Sequence, residues 1–288
     1  MHHGGGYDSE FVAAAKHGFL YQGQYYTWQE QSRGSPVLDL RPTQFVTFLQ
    51  NHDQIGNSAK GLRGHQLASP GHWRAITAYW LLSPGIPLLF QGQEFAATAP
   101  FLYFADHQGE LGTAVGKGRG EFLVQFPSIA GAEMQSRLSD PSAPETFRRC
   151  VLDWGEHDRH VEAVALHRDL LALRRELFDP DPPALDGATL GDDCWLLRYF
   201  PPNGEDWLLI VNLGYDRRET SIPEPLLAPV AGRTWRQRWS SEHPDYGGGG
   251  IAEPFPNGQW WFPGRAAVVL VPGEAAAAPR GPHRRRTA

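Results

Sequence analysis

Two short apolar segments, each ending in a cluster of polar residues, constrain the fold of this chain more than any other feature. Residues 45–49 (FVTFL) precede QNHDQIGN, and residues 86–90 (IPLLF) precede QGQEF. Short, nearly continuous apolar runs are typical of strands buried on both faces of a parallel sheet. A helix is predicted between them at residues 73–82, because Ser69 and Pro70 favour a helix start. The order strand, polar loop, helix, strand, polar loop indicates a β/α barrel or a doubly wound sheet, whose sites form where parallel strands end.

The pattern changes after residues 180–183 (PDPP). The helix predicted just before this point covers residues 160–178, and another is predicted for residues 10–17. Beyond it, short runs rich in aromatic and β-branched residues alternate with Gly, Pro and Asn, which predicts a small antiparallel β-sandwich. The predicted strands are Trp195 to Phe200, Trp207 to Leu213, Thr220 to Ile222, Trp235 to Trp239, Trp260 to Phe262 and Ala267 to Val271.

We therefore predict two domains and a tail. Residues 1–180 form the α/β domain, with residues 101–144 as a long, loop-rich segment that is either functional or contains short helices. Residues 184–272 form the sandwich. Residues 273–288 are rich in Ala, Pro and Arg, and we expect them to be disordered.

Composition excludes several classes of partner. The formal net charge of −6 argues against nucleic acid, which needs a basic face. No apolar run is long enough to span a membrane, and the opening MHHGGGYDSE lacks the apolar segment of a secretory signal. Cys150 and Cys194 stand far apart without metal-binding or redox spacing, so we expect free thiols in a cytoplasmic protein.

The polar residues after the first apolar run suggest chemistry. His52 and Asp53 have no HxxxH or HExxH partner for a metal, and the chain has no GxSxG for a serine nucleophile. Glycoside chemistry remains, because carboxylates stabilise an oxocarbenium-like transition state. A purely structural role, in which Asp53 caps a following turn, is the alternative, and spacing alone leaves both open.

The motifs themselves resemble a known family. FVTFLQNHDQIGN is similar to the region after the seventh barrel strand in the α-amylase superfamily of glycoside hydrolases, and IPLLFQGQEF is similar to its eighth-strand segment. APFLYFADH, VGKGRGEFLVQFP and GFLYQGQY resemble one subfamily, the maltooligosyltrehalose trehalohydrolases. The resemblance covers roughly residues 7–272, with the motifs in the family's order. It implies the last two strands of a (β/α)8 barrel, followed by the sandwich.

The resemblance also implies an activity and site residues. These enzymes hydrolyse the α-1,4 bond next to the terminal trehalose of maltooligosyl trehalose, retaining configuration and using no metal or organic cofactor. Asp53 would be the carboxylate that stabilises the transition state. The other substrate-binding residues implied are His52 at the same sugar, Asn51 and Gln54 beside it, and Phe104, Asp106 and His107 on the trehalose side. Glu94 would only support the strand end.

One departure from the family affects activity. A retaining enzyme needs a nucleophilic Asp and a general-acid Glu, which the family carries well upstream of NHD, and no segment here resembles either region. We therefore expect a chain that is inactive alone and that works with a separately made amino-terminal half. Two alternatives remain: an α-glucan-binding module without catalysis, and a branching or debranching enzyme of the same superfamily.

Overall fold

The computed structural model describes residues 8–27, 29–37, 39–202, 204–250, 254 and 259–274. The tail predicted to be disordered lies outside these residues from residue 275 onward. Its first two residues, Gly273 and Glu274, belong to the last strand. No helix within the described ranges is both long and apolar enough to cross a membrane.

The first part of the chain is mainly helical, with a few very short strands. In chain order its elements are α1 (Asp8–His17), β1 (Tyr25–Tyr26), β2 (Gln31–Ser32), β3 (Val46–Thr47), α2 (His52–Gly56), α3 (Gly64–Leu67), α4 (Pro70–Leu81), β4 (Ile86–Pro87), α5 (Gly109–Leu123), α6 (Ala132–Gln135), α7 (Pro144–Cys150), α8 (Gly155–Arg159) and α9 (Val161–Phe178).

The second part is built from antiparallel strands. They are β5 (Ala184–Gly191), β6 (Cys194–Phe200), β7 (Trp207–Asn212), β8 (Arg217–Glu219), β9 (Arg233–Ser240), β10 (Trp260–Phe262) and β11 (Ala266–Glu274). Five of them form one sheet in the order β5-β6-β7-β11-β9, and β8 pairs with β10. An antiparallel sheet was predicted here, and the structure contains one.

The five-stranded sheet is covered on both faces. Helices α1, α4 and α9 pack on one face around Trp195, Leu209 and Val269. On the other face a second apolar cluster includes Leu196 from β6 and Phe262 from β10. This double cover explains why six of the seven residues of β6 are buried and why its sequence does not alternate between polar and apolar residues.

β3 and β4 form a parallel pair in which Val46 lies opposite Ile86. The prediction that these strands are buried on both faces is wrong. Val46 is 60% exposed, and Phe48, Ile86 and Leu88 on the same side are also exposed, because nothing in the described chain packs over that side. The intervening side chains face α4, where the Trp80 indole donates to Thr47 Oγ1 over 3.2 Å. The pair therefore presents an apolar face to solvent.

Helix α4 joins this strand pair to the large sheet. Its predicted cap is confirmed, but the helix begins at Pro70, three residues before the predicted range. Ser69 is its N-cap and Pro70 occupies its first turn. His72 lies in the first turn of α4. Its ring Nε2 is 2.7 Å from the carbonyl oxygen of Leu213, the residue that follows β7. Arg74 pairs with Glu242 at 2.7 Å, and both side chains are mostly buried. These contacts fix the start of α4 relative to the large sheet.

Several predicted elements need correction. The segment predicted as a loop after residue 51 is helix α2, because Asn51 caps it and Gln54 completes the cap. The loop-rich segment contains the long helix α5, whose glycines hide its periodicity. Strand β5 was missed because its sequence, ALDGATLG, has few β-branched residues. The strand predicted at Thr220 to Ile222 lies earlier, at β8, where Arg217 to Glu219 pair with β10.

Candidate active site

Four residues separate helix α2 from the end of β3, and the helix carries His52 and Asp53. Asn51 Oδ1 accepts a hydrogen bond from the Asp53 amide over 2.8 Å, and Gln54 Oε1 accepts one from the Asn51 amide over 3.0 Å. This reciprocal cap fixes the start of a helix that is too short to be stable alone. Asn51 and Gln54 were predicted to bind substrate. In the structure, one side-chain oxygen of each accepts a hydrogen bond from a backbone amide at the start of α2.

The side chains of Asp53 and His52 project from the first turn of α2 into solvent. His52 Nε2 lies 3.4 Å from Asp53 Oδ1, and the two side chains are 66% and 67% exposed. Asp53 lies where the helix dipole favours negative charge. Asp53 does not cap the turn, since Asn51 does, and its carboxylate is accessible to a ligand.

A cleft of about 560 Å³ opens beside Asp53, between α2 and α5. It combines a carboxylate, an imidazole, a guanidinium and three aromatic rings. Its lining residues are His52, Asp53, Gly56, Asn57, Phe101, Tyr103, Val115, Gly118, Arg119 and Phe122. Among the residues that the structure describes, Asp53 supplies the only carboxylate of this cleft.

The FLYFADH segment divides between two hollows. Phe101 and Tyr103 line the cleft that holds Asp53. Phe104 and Asp106 line a separate hollow of about 510 Å³, where the Phe104 ring packs edge-on against Phe147 at 5.2 Å. The structure therefore does not place these two predicted substrate residues beside Asp53. The segment forms neither helix nor strand at residues 101–107, and its neighbouring side chains line different hollows.

His107 lies in neither hollow. Its side chain is exposed, and the segment ends just beyond it where α5 begins. Asp106 is tied locally, because its Oδ1 accepts a hydrogen bond from Gln108 Nε2 over 3.0 Å. The substrate-binding roles of Phe104, Asp106 and His107 remain predictions.

Arg119 is one of the cleft residues that sequence reasoning missed, together with Tyr103 and Phe122. It donates from Nη1 to Asn57 Oδ1 over 2.7 Å and from Nη2 to the Gly56 carbonyl, so it caps the end of α2 from another helix. Its guanidinium lies over the Tyr103 ring, 4.8 Å from the centroid. Partial burial lowers the pKa of Arg119 from its ordinary value, and the group stays a cation. The sequence signal was its position in VGKGRGEFLVQFP, one of the motifs that resemble the subfamily.

Beneath the cleft, buried polar side chains connect the ends of β3 and β4. Gln50 Nε2 donates to Gln93 Oε1 over 3.4 Å, and Gln50 Oε1 accepts from the Gly64 amide over 2.7 Å. Arg63 is fully buried and donates to the Gln91 and Ala99 carbonyls over 2.6 and 2.7 Å. These bonds hold the two strand ends in register. The half-buried Glu94 lies close enough to influence Arg63, and its role as a strand-end support stays a prediction.

His65 adjoins this buried group and makes stability depend on pH. Burial, with a smaller contribution from the Arg63 guanidinium, lowers the pKa of His65 from 6.5 to about 4. Between pH 6.5 and pH 4 the His65 imidazole is mostly protonated in the unfolded chain and mostly neutral in the folded chain. We expect the free energy of unfolding to fall by about 2 kcal/mol as the pH drops from 6.5 to 4, after allowance for partial exposure of the ring.

Urea unfolding of His65→Gln at several pH values tests this expectation. The variant should lose the His65 contribution of about 2 kcal/mol. It should keep a remainder from the buried His167, whose pKa burial also lowers, and from carboxyl groups such as Asp186, whose pKa the hydrogen bond from Lys16 lowers. The exposed control His107→Gln should retain the full slope. Equal slopes in the wild type and His65→Gln would contradict the assignment.

Comparison with known proteins places the chain in a family. Residues 182–269 match a family model described as a domain of unknown function, DUF3459. A malto-oligosyltrehalose trehalohydrolase from Deinococcus radiodurans is 38% identical over 232 residues, covering 76% of this chain and 38% of that protein. One from Brevibacterium helvolum is 36% identical over 223 residues, covering 72% and 36%. The chain belongs to the malto-oligosyltrehalose trehalohydrolase family.

A solved structure supports the wider superfamily. An alpha-amylase candidate from Salmonella typhimurium superposes with a TM-score of 0.71 at 26% identity, covering 91% of this chain and 41% of that one. The chain therefore spans less than half of each of these relatives. The matched part of the trehalohydrolases is their carboxyl-terminal part, as the sequence motifs predicted.

Proposed function

We propose that this chain carries the Asp53 side of a trehalohydrolase active site. The reaction is hydrolysis of the α-1,4 bond next to the terminal trehalose of maltooligosyl trehalose, with retention of configuration. The observation that carries the proposal is the exposed His52–Asp53 pair beside an aromatic cleft, in a chain of this family.

Asp53 acts on the sugar at which the bond breaks. Its carboxylate accepts hydrogen bonds from the hydroxyls of that sugar and stabilises the positive charge that develops on the ring in the transition state. His52 adjoins it and contacts the same sugar. The capped start of α2 holds both side chains in place before substrate binds.

Retaining hydrolysis needs two further carboxyl groups about 5–5.5 Å apart, one as nucleophile and one as general acid. Because Asp53 is the only carboxylate among the described cleft residues, the proposal assigns both groups to a polypeptide segment that packs over the open face of β3 and β4. The exposed Val46 and Ile86 support this assignment, since they suit the inner packing of a closed (β/α)8 barrel. β3 and β4 are then its seventh and eighth strands.

Trehalose release from maltotriosyl trehalose tests this function. We expect none from the purified chain, and release once it is combined with the amino-terminal part of the Deinococcus radiodurans relative that precedes the matched region. Release by the chain alone would show that it holds a complete set of carboxylates. A folded but inactive combination would count against the proposed activity.

Two alternatives give different results in the same assay. Activity on glycogen without trehalose release would identify a branching or debranching enzyme. A glucan-binding module is favoured by the exposed aromatic rings of Tyr103 and Phe122, which are 44% and 48% exposed. It would bind maltooligosaccharides and give no turnover in any combination.

A further inference from the structure

One face of α5 forms the far wall of the Asp53 cleft. Val115, Gly118 and Phe122 lie three and four residues apart, so they share that face of the helix. The opposite wall is Tyr103, which reaches the cleft from the irregular segment before α5. The Arg119 guanidinium lies between the two aromatic walls, 4.8 Å from the Tyr103 centroid and 5.7 Å from the Phe122 centroid.

Gly118 leaves open space in the middle of this wall. A Cβ atom added there would meet nothing within 4 Å, and the backbone does not adopt a positive φ. Glycine inside a helix costs about 1 kcal/mol relative to alanine. By contrast, a Cβ at Gly112 would lie 2.4 Å from the His107 carbonyl oxygen, so packing explains that glycine. No packing contact and no backbone requirement in the described chain explains Gly118.

We propose that Gly118, Tyr103 and Phe122 form a pyranose subsite beside Asp53, and that Gly118 determines its size. This inference rests on the proposed function, because it takes the substrate to be an α-glucan. It assigns to this wall a sugar unit adjoining the one that Asp53 holds. The two aromatic side chains are accessible, and both lie within the same cleft as the carboxylate.

The chemistry of the cleft suits a neutral sugar. A pyranose ring presents apolar C–H faces and a rim of hydroxyl groups, so it needs aromatic surface together with scattered polar groups. Tyr103 and Phe122 provide the surface, whereas Asp53, His52 and Arg119 provide hydrogen-bonding groups. One cation beside one carboxylate gives no net charge to attract an anionic ligand, and two of the Arg119 donors already bind Asn57 and Gly56.

Arg119 makes the subsite rigid. Its bonds to the end of α2 and its position over Tyr103 connect the helix that carries Asp53 to the wall that would receive the neighbouring sugar. Asp53 and the subsite are therefore held at a constant separation. A fixed separation of this kind lowers the entropic cost of binding two adjoining sugar units.

Calorimetric titration of the full chain with maltopentaose tests the subsite. We expect Gly118→Leu to weaken binding by at least about tenfold, because its side chain fills the cleft. The same substitution should raise the melting temperature, since leucine is the better helix former. Phe122→Ala should also weaken binding. The matched control is Gly116→Ala in the same helix, where an added Cβ meets only Pro141 at 3.9 Å, and its affinity should equal the wild type's.

The outcomes separate the subsite from the proposed function. Unchanged affinity in Gly118→Leu and Phe122→Ala would overturn the subsite. So would a wild-type chain that fails to bind maltopentaose at about 10 mM, roughly ten times the dissociation constant of a weak, millimolar ligand. Affinity lost in Gly118→Leu, together with no trehalose release by the combined enzyme, would retain the subsite and reject the trehalohydrolase activity. Unchanged affinity in Gly118→Leu, together with trehalose release by the combined enzyme that Asp53→Asn strongly reduces, would reject the subsite and retain the trehalohydrolase activity.

Discussion

Replacing Asp53 by asparagine reduces kcat for trehalose release by about 10²–10³-fold or more in the combined enzyme, with a smaller change in KM. The carboxylate is assigned to the charged transition state more than to the neutral substrate, and removal of one such group has effects of this size. Asparagine keeps the size of the side chain and leaves the cap intact, because the cap uses the Asp53 amide and not its side chain. The measurement is steady-state kinetics on maltotriosyl trehalose.

Two control variants make this result interpretable. Glu121→Gln removes an exposed carboxylate from α5, one residue from the cleft wall, and should leave kcat unchanged. Asp106→Asn tests the substrate role that the FLYFADH resemblance implies. A large loss of kcat would favour that role, and a small loss of kcat would agree with the position of Asp106 in the separate hollow. If Asp53→Asn retained wild-type kcat, the assigned role of Asp53 would be wrong.

Replacing Arg174 by alanine lowers the free energy of unfolding by about 3–5 kcal/mol. Arg174 projects from α9 to the end of α4 and the turn before β4. There it donates to the carbonyls of Leu81, Ser83 and Gly85 over 2.8, 2.5 and 2.6 Å. Burial lowers the pKa of Arg174 to about 10, and the group remains charged at neutral pH. Alanine leaves several carbonyls without a partner, which is why the expected loss is large.

Urea unfolding at pH 7 measures this effect against two controls. Arg175→Ala removes an exposed neighbour of the same charge and should change stability by no more than about 0.5 kcal/mol. Arg174→Lys keeps the charge but cannot spread its donors over several carbonyls, so an intermediate loss is expected. Equal stability of Arg174→Ala and Arg175→Ala would show that the carbonyl contacts contribute little.

The parts of the fold that local sequence predicted depend on residues that lie close together in the chain. Helix α4 was found because Ser69 and Pro70 act on the first turn next to them, and the antiparallel sheet was found because its strands carry aromatic and branched residues between turn residues. α5 was missed because its glycines interrupt the apolar period, and its visible ties are long-range, such as the hydrogen bonds from Arg119 to Asn57 and Gly56. Propensity and pattern operate over one or two turns of chain, so they fail where long-range contacts decide the conformation.

The amino-acid sequence by itself determined that a His and an Asp follow a short strand, and its motifs identified the family. Only the tertiary structure decided which side chains accompany Asp53. It brought Arg119 to the end of α2 from 62 residues further along the chain, and it placed Tyr103 in the cleft while Phe104 packs elsewhere. The physical reason is that these neighbours are set by tertiary contacts, such as the hydrogen bonds from Arg119 to the end of α2. Such contacts join residues far apart in the chain, and no local sequence pattern records them.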